Sequence, residues 1–135
     1  MNSFSVTAPL YQDDGRIIEH EWRNLVDREW FDAWFAAQLQ SGVIIYRTTI
    51  RRDSLERKLT NGGFPNNRDR TYIRLALSIA GDSGSCEIYT EDLDFYDPTE
   101  KGCKSGRRTR ILKASAGRVA KLLRRERVYV RCVPE

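Results

Sequence analysis

A chain of 135 residues, of which 40% are hydrophobic and 31% charged, is long enough to form a single domain around its own hydrophobic core. No apolar run approaches the about 18 residues that a membrane-spanning helix needs, and no basic and then apolar leader opens the chain. We therefore expect one domain over residues 1–135, in a cytoplasmic protein without a membrane partner.

The net charge of +4 conceals a strong asymmetry along the chain. Residues 1–100 carry 11 Lys or Arg against 17 Asp or Glu, a net charge of −6, whereas residues 101–135 carry 12 against 2, a net charge of +10. Carboxylates can hold metal cations, while Lys and Arg neutralise phosphates. An acidic body with a basic C-terminal segment, residues 101–135, therefore favours a metal-dependent enzyme that acts on a polyanion.

The cysteines and the histidine indicate neither a metal centre nor a nucleophile. Cys86, Cys103 and Cys132 are widely spaced and form no C-x-x-C pair, which argues against a disulfide framework and against structural zinc. His20 is the only histidine, and no nucleophile motif lies near it, so we expect it on the surface.

The N-terminal region predicts a strand and a helix. Phe4–Thr7 is the first strand candidate, and Gln12–Gly15 reads as a polar turn after it. A helix is expected over Arg16–Asp27, with Asp13 or Asp14 able to cap it. Its apolar stripe consists of Ile18, Trp22 and Leu25.

A second amphipathic helix is predicted over Glu29–Gln40, and Gly42 ends it. Its apolar face consists of Phe31, Trp34, Phe35 and Leu39. The continuous apolar run Val43–Tyr46 then suits a strand that is covered on both faces in a parallel sheet.

The middle of the chain predicts two more helices joined by a loop. Asp53 and Glu56 resemble a capping box for a short helix that ends near Leu59. The loop Thr60–Asn67 follows, and it delivers Asp69 to the first turn of a helix that Gly81 is expected to stop. The buried face of this helix consists of Ile73, Ala76, Ile79 and Ala80.

Acidic residues follow a predicted strand at Cys86–Tyr89. In open α/β sheets, ligands bind at the carboxyl ends of strands, which is where Asp92 and Asp94 come. Leu93 and Phe95 alternate with them and are expected to point inward. The alternative is an acidic loop that is merely solvated, since turns commonly contain Asp.

The C-terminal segment begins with a basic stretch, Thr99–Arg110, that is a candidate nucleic-acid arm. Its cations are Lys101, Lys104, Arg107, Arg108 and Arg110. They repel one another unless a partner neutralises them, although a solvated surface loop is the alternative. A helix over Ser115–Arg125 and a strand over Val128–Val133 complete the chain. The outer face of that helix is predicted to carry Arg118, Lys121, Arg124 and Arg125.

Strands that alternate with helices indicate βαβ units and a parallel sheet. The pattern D-R-x-Y-I-x-L-A-L that opens at Asp69, followed by a strand ending T-x-D-x-D-F at Phe95, resembles the second half of PIN-domain nucleases. The segment I-I-E-H-E-W-R-N-L is similar to a helix of the same family that supplies a further acid, here Glu21. A glutamate on an exposed helix face is the alternative for that residue. The likeness extends, more weakly, from Ser5 to Val133.

The resemblance implies an α/β three-layer sandwich with a mostly parallel central sheet, and a metal-dependent ribonuclease that hydrolyses RNA phosphodiester bonds. The implied site residues are Glu21, Asp69, Asp92 and Asp94 as metal ligands, with Thr90 assisting. Clustered carboxylates need a cation to remain ionised, and oxygen-only ligands favour Mg²⁺ or Mn²⁺. The basic residues from Lys101 to Arg110 would hold the RNA backbone.

The sequence departs from the family in one respect. PIN domains begin with a hydrophobic strand that ends in Asp, and no such strand is evident before the helix that carries Glu21. The chain therefore resembles a PIN domain that is N-terminally abbreviated, lacking the first strand and helix, with Asp13 or Asp14 as substitutes. Three explanations stand: a truncated product, a homodimer or partner chain that completes the sheet, or a degenerate domain retained for binding RNA or protein. A toxin-like subunit whose partner covers the site is a further alternative.

Overall fold

A computed structural model of the chain describes residues 9–90, residue 95 and residues 116–131. In these residues, helices and short strands alternate along the chain. In order, they are β1 (Leu10–Asp13), α1 (Ile17–Leu25), α2 (Arg28–Gln40), β2 (Ile44–Arg47), α3 (Asp53–Asn61), α4 (Arg70–Ser83), β3 (Cys86–Tyr89), α5 (Ala116–Arg125) and β4 (Val128–Arg131).

The chain divides into two compact units, residues 1–49 and residues 50–135. Such units also occur as cooperative parts of one domain, so the predicted single domain stays a prediction.

In the first unit, β1 and β2 form a parallel pair, and α1 contacts both β1 and α2. The register sets Leu10 opposite Ile44 and Asp13 opposite Arg47. A backbone hydrogen bond of 2.8 Å from the N–H of Leu10 to the carbonyl of Val43 extends the pairing toward α2. The buried apolar side chains of this unit are Leu10, Ile18, Phe31, Phe35 and Val43.

Strand β1 corrects the predicted turn at Gln12–Gly15. The strand runs through Asp13, and the turn is confined to Asp14 and Gly15. Gln12 and Asp13 are polar, yet they are 0% and 1% exposed, so their side chains gave no apolar pattern from which a strand could be predicted. The predicted strand Phe4–Thr7 lies outside the described residues.

The first two helices lie where they were predicted, but each apolar stripe is only partly buried. Ile18 is 2% exposed, whereas Leu25, predicted on the same stripe, is 71% exposed. On α2, the rings of Phe31 and Phe35 are buried and stack with centroids 5.3 Å apart, while Leu39 remains exposed.

In the second unit, β3 and β4 form a parallel pair that sets Cys86 opposite Val128. Helix α4 contacts both strands, and α5 contacts β4 and α3. The predicted inner face of α4 is confirmed, because Ile73, Ala76, Ile79 and Ala80 are all buried. The core cluster of this unit consists of Leu55, Leu59, Phe64, Ile73, Ala76, Leu77, Ala80, Phe95, Val119, Leu123, Val128 and Val130.

The prediction that Gly81 ends helix α4 is wrong, because the helix continues to Ser83. Gly84 caps it instead, with a φ of 91° and a 2.9 Å hydrogen bond from its N–H to the carbonyl of Ala80. A residue in the left-handed conformation is a common end of a helix, and glycine adopts that conformation without steric cost.

A buried ion network joins α3 to α4. The Arg70 guanidinium, in a residue that is 2% exposed, donates to Glu56 Oε2 at 2.8 Å, and Arg74 Nε donates to Glu56 Oε1 at 2.7 Å. Arg70 also donates to Thr60 Oγ1 and to the carbonyls of Glu56, Phe64 and Pro65. These five acceptors match the five N–H donors of a guanidinium, so Arg70 is fully satisfied. The network fastens the end of α3 and the loop after it to α4.

The predicted capping box at Asp53 and Glu56 is wrong. Residue Arg52 precedes the helix without any side-chain cap, and Glu56 faces the two arginines of α4. Burial acts to raise the pKa of Glu56, but the hydrogen bonds and charges of Arg74 and Arg70 together outweigh it, so the pKa lies below the ordinary value.

The described residues thus form a mixed α/β fold with parallel strand pairs, and the three-layer sandwich stays a prediction. Among these residues, no helix is both long enough and apolar enough to cross a membrane.

We expect Glu56→Gln to destabilise the protein by about 3 kcal/mol, because it leaves the charge of buried Arg70 without its counter-ion. Urea unfolding at neutral pH measures this loss. Asp53→Asn is the matched control on the same helix, since the Asp53 pair with Arg51 is exposed and should contribute no more than about 1 kcal/mol. Equal losses in the two variants would contradict a structural role for the network.

The same network predicts acid sensitivity. Because the folded pKa of Glu56 is below its unfolded value of about 4.3, its contribution is complete above that pH and is lost as the pH falls through the lowered folded value. Urea unfolding between pH 5 and pH 2 should therefore show a steeper loss of stability in the wild type than in Glu56→Gln. If the free energies of unfolding of the two proteins fell in parallel with pH, the predicted role of Glu56 in acid sensitivity would be wrong.

Candidate functional site

The structure describes only some of the predicted site residues. Asp92 and Asp94 lie outside the described residues, and so do the predicted RNA-binding residues Lys101, Lys104, Arg107, Arg108 and Arg110. Glu21 is half-buried on α1 in the first unit, and Asp69 is half-buried immediately before α4 in the second. A cation shared by Glu21 and Asp69 therefore stays a prediction.

Asp69 stands at the start of α4 without capping it. Its side chain makes no capping hydrogen bond, and the backbone N–H of Asp69 instead donates to Asn67 Oδ1 at 2.9 Å. The carboxylate of Asp69 is thus not used to satisfy the end of the helix. The next residue, Arg70, is held by the buried ion network, which fixes the position of the backbone at Asp69.

Thr90 follows the carboxyl end of β3. Its backbone N–H donates to the carbonyl of Arg131 at 3.0 Å, which continues the β3–β4 ladder by one residue. Phe95, predicted to point inward, is 3% exposed and makes an edge contact with the ring of Phe64, with centroids 4.8 Å apart. In the sequence, Asp92 and Asp94 therefore lie between Thr90, which is paired with β4, and Phe95, which is in the core.

The carboxyl end of β1 carries two adjacent acids with different surroundings. Asp13 is buried, and its two carboxylate oxygens accept the N–H groups of Ile17 at 2.8 Å and Ile18 at 2.9 Å. This confirms the predicted cap and places a negative charge at the positive end of α1. Asp14 is exposed, and its Oδ2 accepts a hydrogen bond of 2.9 Å from the hydroxyl of Thr48.

Glu19 on α1 accepts a hydrogen bond from Tyr46 on β2. The hydroxyl of Tyr46 donates to Glu19 Oε1 at 2.6 Å, and the guanidinium of Arg16 lies 5.5 Å from the centre of the Tyr46 ring. Burial, and then the hydrogen bond to Glu19, raise the pKa of Tyr46 to about 12, so its hydroxyl remains a donor at neutral pH. This pairing holds Glu19 half-buried.

The described residues do not assemble a metal site by themselves. Among them, no group of three or more His, Cys, Asp or Glu side chains is placed to hold a cation.

Two buried polar residues of importance were missed by sequence reasoning. Arg70 did leave a signal in the sequence. Arg70 and Arg74 are four residues apart in a helix rich in Leu, Ile and Ala, and a cation that is buried in such a helix needs an acid to pair with it. Gln12 offered no such signal. It is fully buried in β1, and neither its amide nitrogen nor its amide oxygen has a hydrogen-bond partner among the described residues.

Searches of protein-family models, of curated proteins and of solved structures found no match to this chain. These searches therefore add no support to the resemblance to PIN domains.

We expect Asp13→Ala to lower the free energy of unfolding by about 1–2 kcal/mol, because it removes the cap of α1 and leaves the buried N–H of Ile18 and the part-buried N–H of Ile17 without this acceptor. Chemical denaturation followed by circular dichroism measures the change. Asp14→Ala is the matched control, because it removes an adjacent carboxylate that is exposed. An equal effect of the two substitutions would show that the buried cap has no special weight.

Proposed function

We propose that this chain is a metal-dependent ribonuclease of the PIN type, which hydrolyses RNA phosphodiester bonds. The observation that carries the proposal is strand β1, which ends in Asp13 and leads into the helix that bears Glu21. A strand ending in Asp at this place is the family feature that sequence analysis did not find. In this one respect β1 fits the family pattern, although Gln12 and Asp13 are polar and no further helix separates the strand from the helix that bears Glu21.

The residues at the carboxyl ends of the strands support the same proposal. Both strand pairs are parallel, and both have acids or hydroxyls at or just beyond their carboxyl ends, namely Asp13 and Asp14 in the first unit and Thr90 in the second. In α/β folds, the carboxyl ends of parallel strands are where catalytic groups collect. Asp92 and Asp94 come directly after Thr90 in the sequence.

In this proposal, Glu21, Asp69, Asp92 and Asp94 are the acids of the reaction, and Thr90 orients a carboxylate or a water molecule. Their donors are all oxygen atoms, a set that fits Mg²⁺ or Mn²⁺ better than zinc. A cation of this type, when bound, polarises a phosphodiester and lowers the pKa of water.

A second candidate function is an RNA-binding or protein-binding module without catalysis. It is favoured by the surroundings of Asp13, whose two oxygens are both taken by N–H groups of α1. An acid that serves as a helix cap has less capacity left for a cation. The two candidates differ in whether the chain cleaves what it binds.

RNA cleavage in the presence of Mn²⁺ distinguishes the candidates. We expect the wild type to cleave, and Asp69→Asn and Asp92→Asn each to lower the rate by roughly a hundredfold or more, because losing a ligand forfeits several kcal/mol of transition-state stabilisation. Asp82→Asn is the control, since Asp82 is an exposed acid near the other end of α4. It should cleave as the wild type does.

RNA binding is measured in parallel with EDTA present. Loss of cleavage with unchanged binding in the two variants supports the ribonuclease. If the wild type, the two variants and the control bind RNA alike and none of them cleaves it, the binding module is the correct function.

A further inference from the structure

A groove of about 370 Å³ lies between α3 and α5 in the second unit. Its lining consists of Lys58, Asn61, Gly62, Arg118, Lys121, Leu122 and Arg125. Four of these seven residues are cations and none is an acid. Among the described residues, none of the four cations forms an ion pair with a carboxylate. Four positive charges therefore surround the groove, and no carboxylate of the described residues pairs with them.

The cations reach the groove because of helical spacing. On α5, the lining positions Arg118, Lys121 and Arg125 are three and four residues apart, so they share one face of the helix, and Val119 and Leu123 are buried on another. Lys58 and Asn61 are likewise three residues apart on α3. Two helices thus turn their polar faces toward the same space.

Helix stability does not account for this arrangement. Lys58 and Arg125 lie in the last turns of their helices, where a cation is favourable, but Arg118 lies in the first turn of α5, which contains no acid. A cation there opposes the helix dipole, and like charges at this spacing repel one another. A bound anion would offset both costs.

Gly62 lines the groove at the end of α3. A Cβ atom at Gly62 would lie 3.8 Å from Leu122 Cδ1 and 3.2 Å from the carbonyl oxygen of Lys58. A side chain at this position would therefore contact Leu122, another residue of the lining.

We propose that the α3–α5 groove binds the phosphate backbone of an RNA strand. The choice of RNA among polyanions rests on the proposed function. Arg118 and Arg125 are seven residues apart, about 10 Å along the helix, so the groove is long enough to contact more than one phosphate of a strand. Phosphates are the expected ligands because four cations and no acid line the groove, and phosphate contacts position RNA without reading its sequence.

The test is fluorescence anisotropy of a labelled single-stranded RNA with EDTA present, over a range of salt concentrations. We expect Lys58→Gln/Lys121→Gln to weaken binding roughly tenfold and to lower the slope of log K against log salt by about 1.4, which corresponds to two lost contacts on a single strand. Lys58→Arg/Lys121→Arg, which keeps the charges, should bind as the wild type does.

The matched control removes two charges outside the groove. Arg51→Gln/Arg57→Gln changes two exposed residues of the same unit and should alter binding by less than about twofold. Equal weakening by the groove and control variants would overturn the proposal in favour of unspecific attraction. Unchanged RNA binding in the groove variant would also overturn the proposal. If that variant binds RNA normally but loses binding to phosphatidylserine vesicles, the groove recognises lipid phosphates and not RNA.

Failure of the groove and failure of the ribonuclease are distinguishable, because binding is measured without metal. If the wild type cleaves RNA and the groove variant binds RNA normally, only the groove is wrong. If no cleavage is found but binding depends on the groove, only the ribonuclease is wrong.

Discussion

The contact between Arg70 and Glu56 is the constraint on which the second unit depends. A guanidinium that is almost fully buried cannot lose its charge, so each of its N–H groups needs an acceptor within the protein. Arg70 obtains them from α3 and from the loop that follows it, and Arg74 shares the carboxylate of Glu56. A lysine could not replace Arg70, because its ammonium has three donors and no planar fork.

This constraint links parts of the unit that the core alone would not align. The apolar cluster joins α3, α4, α5 and the β3–β4 pair, but apolar contacts tolerate small shifts of one helix along another. Directional hydrogen bonds to the carbonyls of Phe64 and Pro65 do not tolerate them. Helix α3 is thereby held at one position, and Lys58 and Asn61 reach the groove that they share with α5.

The first unit uses a buried charge in a simpler way. Asp13 ends β1 and caps α1, so one carboxylate fixes the angle at which the chain passes from strand to helix. Glu19 and Tyr46 tie α1 to β2 by a second polar contact. In both units, therefore, acids form structural contacts: Asp13 and Glu19 in the first unit, and Glu56 in the second.

Local pattern was enough to locate most helices and strands of this chain. Ile73, Ala76 and Ala80 recur at helical spacing on one face of α4, and turn residues flank the strand Cys86–Tyr89. In both elements the local sequence preference agrees with the tertiary structure. Pattern failed where the partner of a residue is distant in sequence. Gln12 and Asp13 look like a turn until β2 pairs with them, and Glu56 looks like a cap until Arg70 and Arg74 approach it. The sequence by itself determined the alternation of helices and strands and the excess of cations in α5, because both depend on neighbouring residues. Only the tertiary structure decided which charges are buried in pairs and which surround a groove, because that depends on contacts between segments that the chain brings together on folding.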